Sequence, residues 1–265
     1  RDLARAAFDE ALEKDRFAKL TGPQKVWHRA KELYDASRTI VTSYDLSALL
    51  RQGKFIALAH PVRAARSIPT MLRSLMSKDA AYRVDQEILH RPNAPIYKQS
   101  GLYLADHGAP LAKLEEAYMS TLAEKIPGVA ASQRAYNTFL NKLRADSFDA
   151  MSEALSSRRP ITPAEAKVLA NFINAATGRG DLPAGAVALN RVFFSPRYVA
   201  SRFQLILGQP LYKGTARTRI LIATEYARTL LGYAIFYALA KLALPDSEVE
   251  TDPRSSDAGK IVIGN

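Results

Sequence analysis

Asp106 and His107 are the only acid–imidazole neighbours in the chain. A carboxylate beside an imidazole is a start towards acid–base or metal chemistry. Adjacent side chains diverge on a helix or a strand, however, and no third group stands ready to orient this pair. Trp27-His28 reads as packing and surface, since a site needs convergent polar groups. Asp246, Glu248, Glu250, Asp252 and Asp257 crowd the C-terminal end. They suit Mg²⁺ or Ca²⁺ by type but lack the Gly and Glu spacing of a calcium loop. There is no cysteine, which removes disulfides and thiolate metal sites. Arg179-Gly180-Asp181 matches a cell-adhesion tripeptide, and glycine-led helix termination accounts for it. No Ser-His-Asp or Cys-His arrangement, HExxH, P-loop or nucleotide fingerprint is present. The chain reads as non-enzymatic, with no catalytic residue, cofactor or metal.

Phosphate recognition is the better-represented chemistry. The chain carries 37 Lys and Arg against 26 Asp and Glu, a formal net charge of +11. The excess sits in two blocks. Residues 52–91 hold seven cations and three anions, and residues 187–228 hold seven and one. Arg63 and Arg66 share a helix face, and Arg73 lies seven beyond Arg66 on nearly the same face. A row of guanidinium groups suits phosphates or a neighbouring subunit's carboxylates. Arg197 and Arg202 interleave with aromatic residues, which fits single-stranded nucleic acid or a partner surface, and equally an amphipathic helix with core aromatics. Arg217 and Arg219 complete the second block. Contact with nucleic acid, another polyanion or acidic subunits is one reading of this charge, and a solvated face is the other.

Helices must hold these side chains. Residues 1–20 and Pro23–Ser43 carry apolar groups at helical spacing. Residues 46–58 are apolar on most faces, and Gly53 marks close helix contact or a kink. His60-Pro61 opens a basic amphipathic helix over 61–76, and Ser77–Leu89 follows. Two prolines make Arg91–Pro95 an extended turn, and residues 96–110 look irregular. Leu111–Ile126 and Val129–Leu155 are helical by spacing. Thr162-Pro163-Ala164-Glu165 is a capped helix start, running to about Ala176. Ser195-Pro196 caps another helix, and Gly208-Gln209-Pro210 breaks it.

The most apolar run lies between Arg228 and Lys241. Of its twelve uncharged residues only Thr229 and Gly232 are not strongly apolar or aromatic. Tyr226–Leu244 therefore reads as one very apolar helix. Such a helix is buried in a core, packed between subunits, or in contact with a membrane for part or all of its life. The run is shorter than the roughly 20 residues of a free-standing span, while Arg228 and Lys241 are placed to snorkel at its ends. Leu230, Leu231, Tyr233, Ile235, Phe236, Tyr237 and Leu239 are the expected membrane or oligomer contacts.

Apolar content of 48% fits a folded chain. Strand signals are nearly absent, so the fold class is all-α, an irregular multi-helix bundle of about nine helices. Residues 1–45 form an N-terminal helical pair, 46–245 a helical domain, and 246–265 an acidic extended tail. The tail ends in a β-like run, Lys260–Ile263, with no obvious partner strand. The start without Met suggests a segment of a longer polypeptide.

One resemblance covers most of residues 40–265. It rests on the runs Asn171–Gly180, Phe193–Arg202, Asp252–Asp257 and Gly259-Lys260-Ile261, with Arg91–Ala94, Ser100–Leu104 and Ala123–Gly128 upstream. These runs are similar to a helical domain of the large polyvalent proteins of tailed phages. The resemblance implies a virion protein carried in the capsid interior or tail and delivered with the genome, which meets the host cell envelope after ejection. It implies as partners sister subunits in a ring-like homo-oligomer, portal or tail proteins, double-stranded DNA and the host membrane. In that setting Arg63, Arg66, Arg73, Arg197, Arg202, Arg217 and Arg219 face DNA or acidic neighbours, and residues 229–240 pack between subunits or enter lipid. The alternative is an accessory, non-catalytic domain of a delivered enzyme of anti-restriction or polymerase type. A third reading is a monomeric helical DNA-binding module, for which no recognition helix stands out.

Overall fold

The structure, a computed structural model, describes residues 47–105, 128–157, 159–181, 196–245, 247–250 and 261–263. Among these are nine helices: α1 (Ser47–Ala59), α2 (Pro61–Met76), α3 (Lys78–Leu89), α4 (Ala94–Ser100), α5 (Val129–Ser156), α6 (Pro163–Ala176), α7 (Pro196–Ile206), α8 (Gln209–Tyr212) and α9 (Ala216–Ala243). Two short strands, β1 (Ser247–Val249) and β2 (Ile261–Ile263), close the chain. The described part is predominantly helical, as the sequence leads one to expect. The helices expected over 1–20, Pro23–Ser43 and Leu111–Ile126 lie outside the described residues, as do Trp27, His28, Asp106 and His107.

Local chemistry sets most helix ends. Ser77 accepts a hydrogen bond from the Ala80 amide at 3.3 Å and so caps α3. Thr162 and Glu165 complete a reciprocal capping box at the start of α6. Thr215 caps α9. Two short helices were not expected from sequence. Both carry proline in the first turn, where the missing amide costs nothing, so Pro95 starts α4 and Pro210 starts α8 where the sequence reads as turns.

Helix α5 is the axis of the core. Leu143, Ala145 and Phe148 along it are fully buried, with Phe139, Leu140 and Met151 nearly so. Helix α2 lies along it most extensively, while α1, α3 and α6 also pack on it. Gly53 explains how α1 comes so near. A methyl group there would stand 3.2 Å from both Phe139 and Leu143, so the glycine serves close contact, and α1 runs unbroken through it. On its other side α1 carries α9. Gly232 sits against the Leu58 carbonyl, too close for any side chain.

Two side-chain amides hold the segment after α4, Asn141 buried and Asn174 half-buried. Asn141 of α5 accepts from the Ala105 amide and donates to the Ala105 carbonyl, both at 2.7 Å. Asn174 of α6 does the same with the Tyr103 amide and the Gly101 carbonyl, both at 2.9 Å. Each side chain thus satisfies backbone groups as a neighbouring strand would. Two guanidinium groups lie over the Tyr103 ring, Arg179 at 3.2 Å and Arg144 at 5.0 Å from its centroid. Arg144, fully buried, also donates to the Thr177 hydroxyl at 2.8 Å.

Two expectations are corrected. Among the described residues there is no separate, very apolar helix near the C-terminus. The apolar run is the second half of α9, which begins ten residues before Tyr226 and also carries Arg217, Arg219, Glu225, Arg228 and Lys241. Nothing between Thr215 and Tyr226 stops a helix, so the charged and apolar stretches fold as one rod. No described helix is long and apolar enough to cross a membrane. The β-like tail does have a partner: Ser247 faces Ile263, Glu248 faces Val262 and Val249 faces Ile261 in an antiparallel ladder.

Candidate interaction surface

The seven arginines singled out by sequence fall into two groups. Arg217 is committed inside the chain. Its Nε and Nη2 donate to the two carboxylate oxygens of Glu165 at 2.7 and 2.5 Å, and its Nη1 donates to the Leu155 carbonyl at 2.8 Å. Arg63, half-buried between α2 and α5, donates to the Ser147 hydroxyl at 3.5 Å. Arg202 reaches back to the Gln52 carbonyl at 3.3 Å and lies 4.6 Å from the Tyr198 ring. Arg197 is half-buried, and its carbonyl accepts from the Gly180 amide. Arg66 and Arg73 on α2 and Arg219 on α9 stand exposed.

Glu165 is the hub that Arg217 serves. Its side chain is 1% exposed, and it also accepts from Thr162 and Thr215. The paired hydrogen bonds from Arg217 are the largest influence on its carboxyl. They outweigh burial and hold it well below the usual carboxylate range. Spacing marks Thr162 and Glu165 as a capping pair, but nothing in the sequence marks Arg217 as the partner.

A second buried carboxylate joins two distant elements. Glu225 of α9 meets His60, the residue between α1 and α2, at 2.5 Å, and Arg228 at 2.7 Å. Burial raises the Glu225 carboxyl most, yet His60 and Arg228 together hold it below its ordinary value. This His–carboxylate contact was not foreseen. It fastens α9 to the α1–α2 corner, with Arg63 close enough to feel the Glu225 charge.

Among the described residues no group of three His, Asp or Glu side chains could hold a metal ion. The space bounded by Val168, Phe172 and Pro210 is about 30 Å³, room for one water. A larger cleft of about 490 Å³ lies between the end of α9 and β1, where Lys241 donates to the Ser247 carbonyl at 2.7 Å. Arg179-Gly180-Asp181 ends α6 and docks on α7: the Asp181 amide donates to Gln204 at 3.3 Å.

Most of the expected oligomer or membrane contacts lie at the surface. Leu230, Leu231, Ile235, Phe236 and Leu239 are between 51% and 68% exposed. Tyr233 and Tyr237 are half-buried, their rings stacked with centroids 6.2 Å apart. Lys54 of α1 lies 5.9 Å from the Tyr233 ring, so this tyrosine belongs to the chain's own packing. Leu242 and Leu244 extend the open apolar surface beyond Lys241. Leu231, Ile235 and Leu242 lie round the rod from the buried stripe of α9, Thr218, Ile222, Glu225 and Thr229, whereas Phe236, seven residues beyond Thr229, is in line with that stripe. Comparison of the chain with protein-family models, curated proteins and solved structures finds no match in any of the three.

Proposed function

We propose that this chain is a structural segment of a phage internal virion protein, which assembles with sister copies at the portal or tail and helps carry the genome across the host envelope. The observation that carries the assembly part is the outer face of α9. Large apolar side chains stand open along its last four turns, and Arg228 and Lys241 bracket the run. Contiguous exposed apolar surface of this kind marks a protein or membrane contact. Its burial between copies would be favourable by about 25 cal/mol per Å². The phage setting rests on the sequence resemblance. Arg66, Arg73 and Arg219 supply the open cations that DNA or acidic portal and tail surfaces would meet.

Sedimentation velocity over a range of concentrations tests the assembly. The unmodified chain should form a concentration-dependent oligomer, and L231E/I235E/L239E should sediment as a monomer with unchanged helicity. A chain that stays monomeric at every concentration removes the ring. Electron cryomicroscopy of the intact particle tests the setting. A symmetric ring at the portal or tail lumen supports it, whereas absence of the chain from the particle favours an accessory domain of a delivered enzyme.

A further inference from the structure

Helix α2 carries two stripes. Ala64, Ser67, Met71 and Ser74 are buried, on the side that α5 covers. Val62, Ala65, Pro69, Leu72 and Met76 form the other, at steps of three and four, and all five are exposed. Val62 is 63% and Met76 87% exposed. Alternating steps of three and four are the spacing of a coiled-coil seam. The seam is not flat: Ala65 and Pro69 form a narrow waist between Val62 and the Leu72–Met76 end. Small residues at such a waist admit a knob from a closely approaching helix. Arg66 and Arg73 directly follow the seam residues Ala65 and Leu72, so they line one flank seven residues apart. No acidic residue occurs anywhere on α2.

We infer that the outer face of α2 is a docking surface for an amphipathic helix of another protein, one that carries carboxylates at seven-residue spacing beside its own apolar seam. The flanking charge decides between occupants. In an antiparallel pair of α2 helices the arginine flanks face each other, and in a parallel pair they face Pro61 and Ile68, so a second copy of this helix supplies no carboxylate. A flat lipid surface would meet both arginines but leave the waist unfilled. An acidic helix satisfies both the recess and the flank. The inference stands apart from assembly through α9, because the two surfaces lie on different helices.

The test uses the full chain and a labelled three-heptad peptide with Leu at its seam positions and Glu at both flanks, followed by fluorescence anisotropy. A second peptide replaces every Glu with Lys. The acidic peptide should bind at least about tenfold more tightly, and added salt should weaken it. R66E/R73E should reverse the preference while helicity stays unchanged, and L72E should abolish binding of both peptides. Hydrogen exchange should slow in α2 on addition of the acidic peptide. Equal binding of the two peptides, or acidic-peptide binding that survives R66E/R73E, overturns the inference. Co-sedimentation with phosphatidylserine vesicles that needs Arg66 and Arg73, without peptide binding, overturns it in favour of a membrane.

Discussion

Glu165 accepts from Thr162, Thr215 and Arg217, with Arg159 at 3.2 Å, all around one carboxylate that ties the start of α6 to the start of α9. Its folded carboxyl and that of Glu225 are both held low, which fixes the sign of their linkage to pH. The stability they contribute is fully present above the ordinary glutamate value of about 4.3 and is lost as pH falls through the folded values. Urea midpoints should therefore fall steeply with acidification below that value. E165Q should show a lower midpoint at neutral pH, by several tenths molar or more, and a shallower acid limb. An unchanged acid limb would mean that Glu165 does not carry the linkage. Half of this site was legible beforehand. The Thr162–Glu165 capping box is a local spacing, whereas Arg217 lies 52 residues away and belongs to a block whose charge suggests phosphate. Type and charge speak for what an arginine can hold, and only the fold decides what reaches it.

At the scale of the element, α9 shows where pattern reading succeeds and fails. The apolar run was visible as a string of residue types, but which of its side chains stand exposed was not. The start of the helix was not, because the charged turn before the run carries no breaker and a change of composition looks like a boundary. Gly232 matters here through proximity. In an exposed helix interior, Gly to Ala is worth up to about 1 kcal/mol of added stability. At this position the new methyl group meets the Leu58 carbonyl of α1. G232A should therefore destabilise the chain by about 1–3 kcal/mol, the usual cost of overpacking, as read by urea denaturation. A gain in stability would show that α9 does not sit on α1 so closely. The same contact made glycine the least informative letter of the run, since the sequence shows only an absent side chain. The strand pair was half legible: Ile261–Ile263 has β character on its own, but Ser247–Val249 takes its strand form from pairing.

Across the whole molecule, the helical class follows from periodicity, and the arrangement does not. Helix α5 was legible over nearly its full length from Val129, yet its place at the centre is tertiary information. It buries Asn137, Asn141, Arg144 and Ser147 beside its leucines, so its pattern resembles that of a surface helix. One of those polar choices is now intelligible, together with Asn174 of α6. Asn141 and Asn174 each use an acceptor and a donor at once to clamp residues 101–105. An aspartate at either position would turn a carboxylate oxygen towards the Ala105 or Gly101 carbonyl, and the clamp would open. Asparagine makes that change by itself when the backbone nitrogen of the next residue attacks the side-chain amide and expels ammonia. Water then opens the cyclic imide to Asp or its isomer. The attack needs backbone freedom that a helix withholds. The folded chain thus protects its own fasteners, and an unfolded one ages. A sample held unfolded at warm temperature and then refolded should contain a fraction with Asp at 141 or 174, in which the Tyr103 and Ala105 amides exchange faster than in fresh protein. Mass spectrometry with hydrogen exchange would read both at once. For this chain, time spent unfolded leaves a covalent record, written at the two amides that would otherwise hide it.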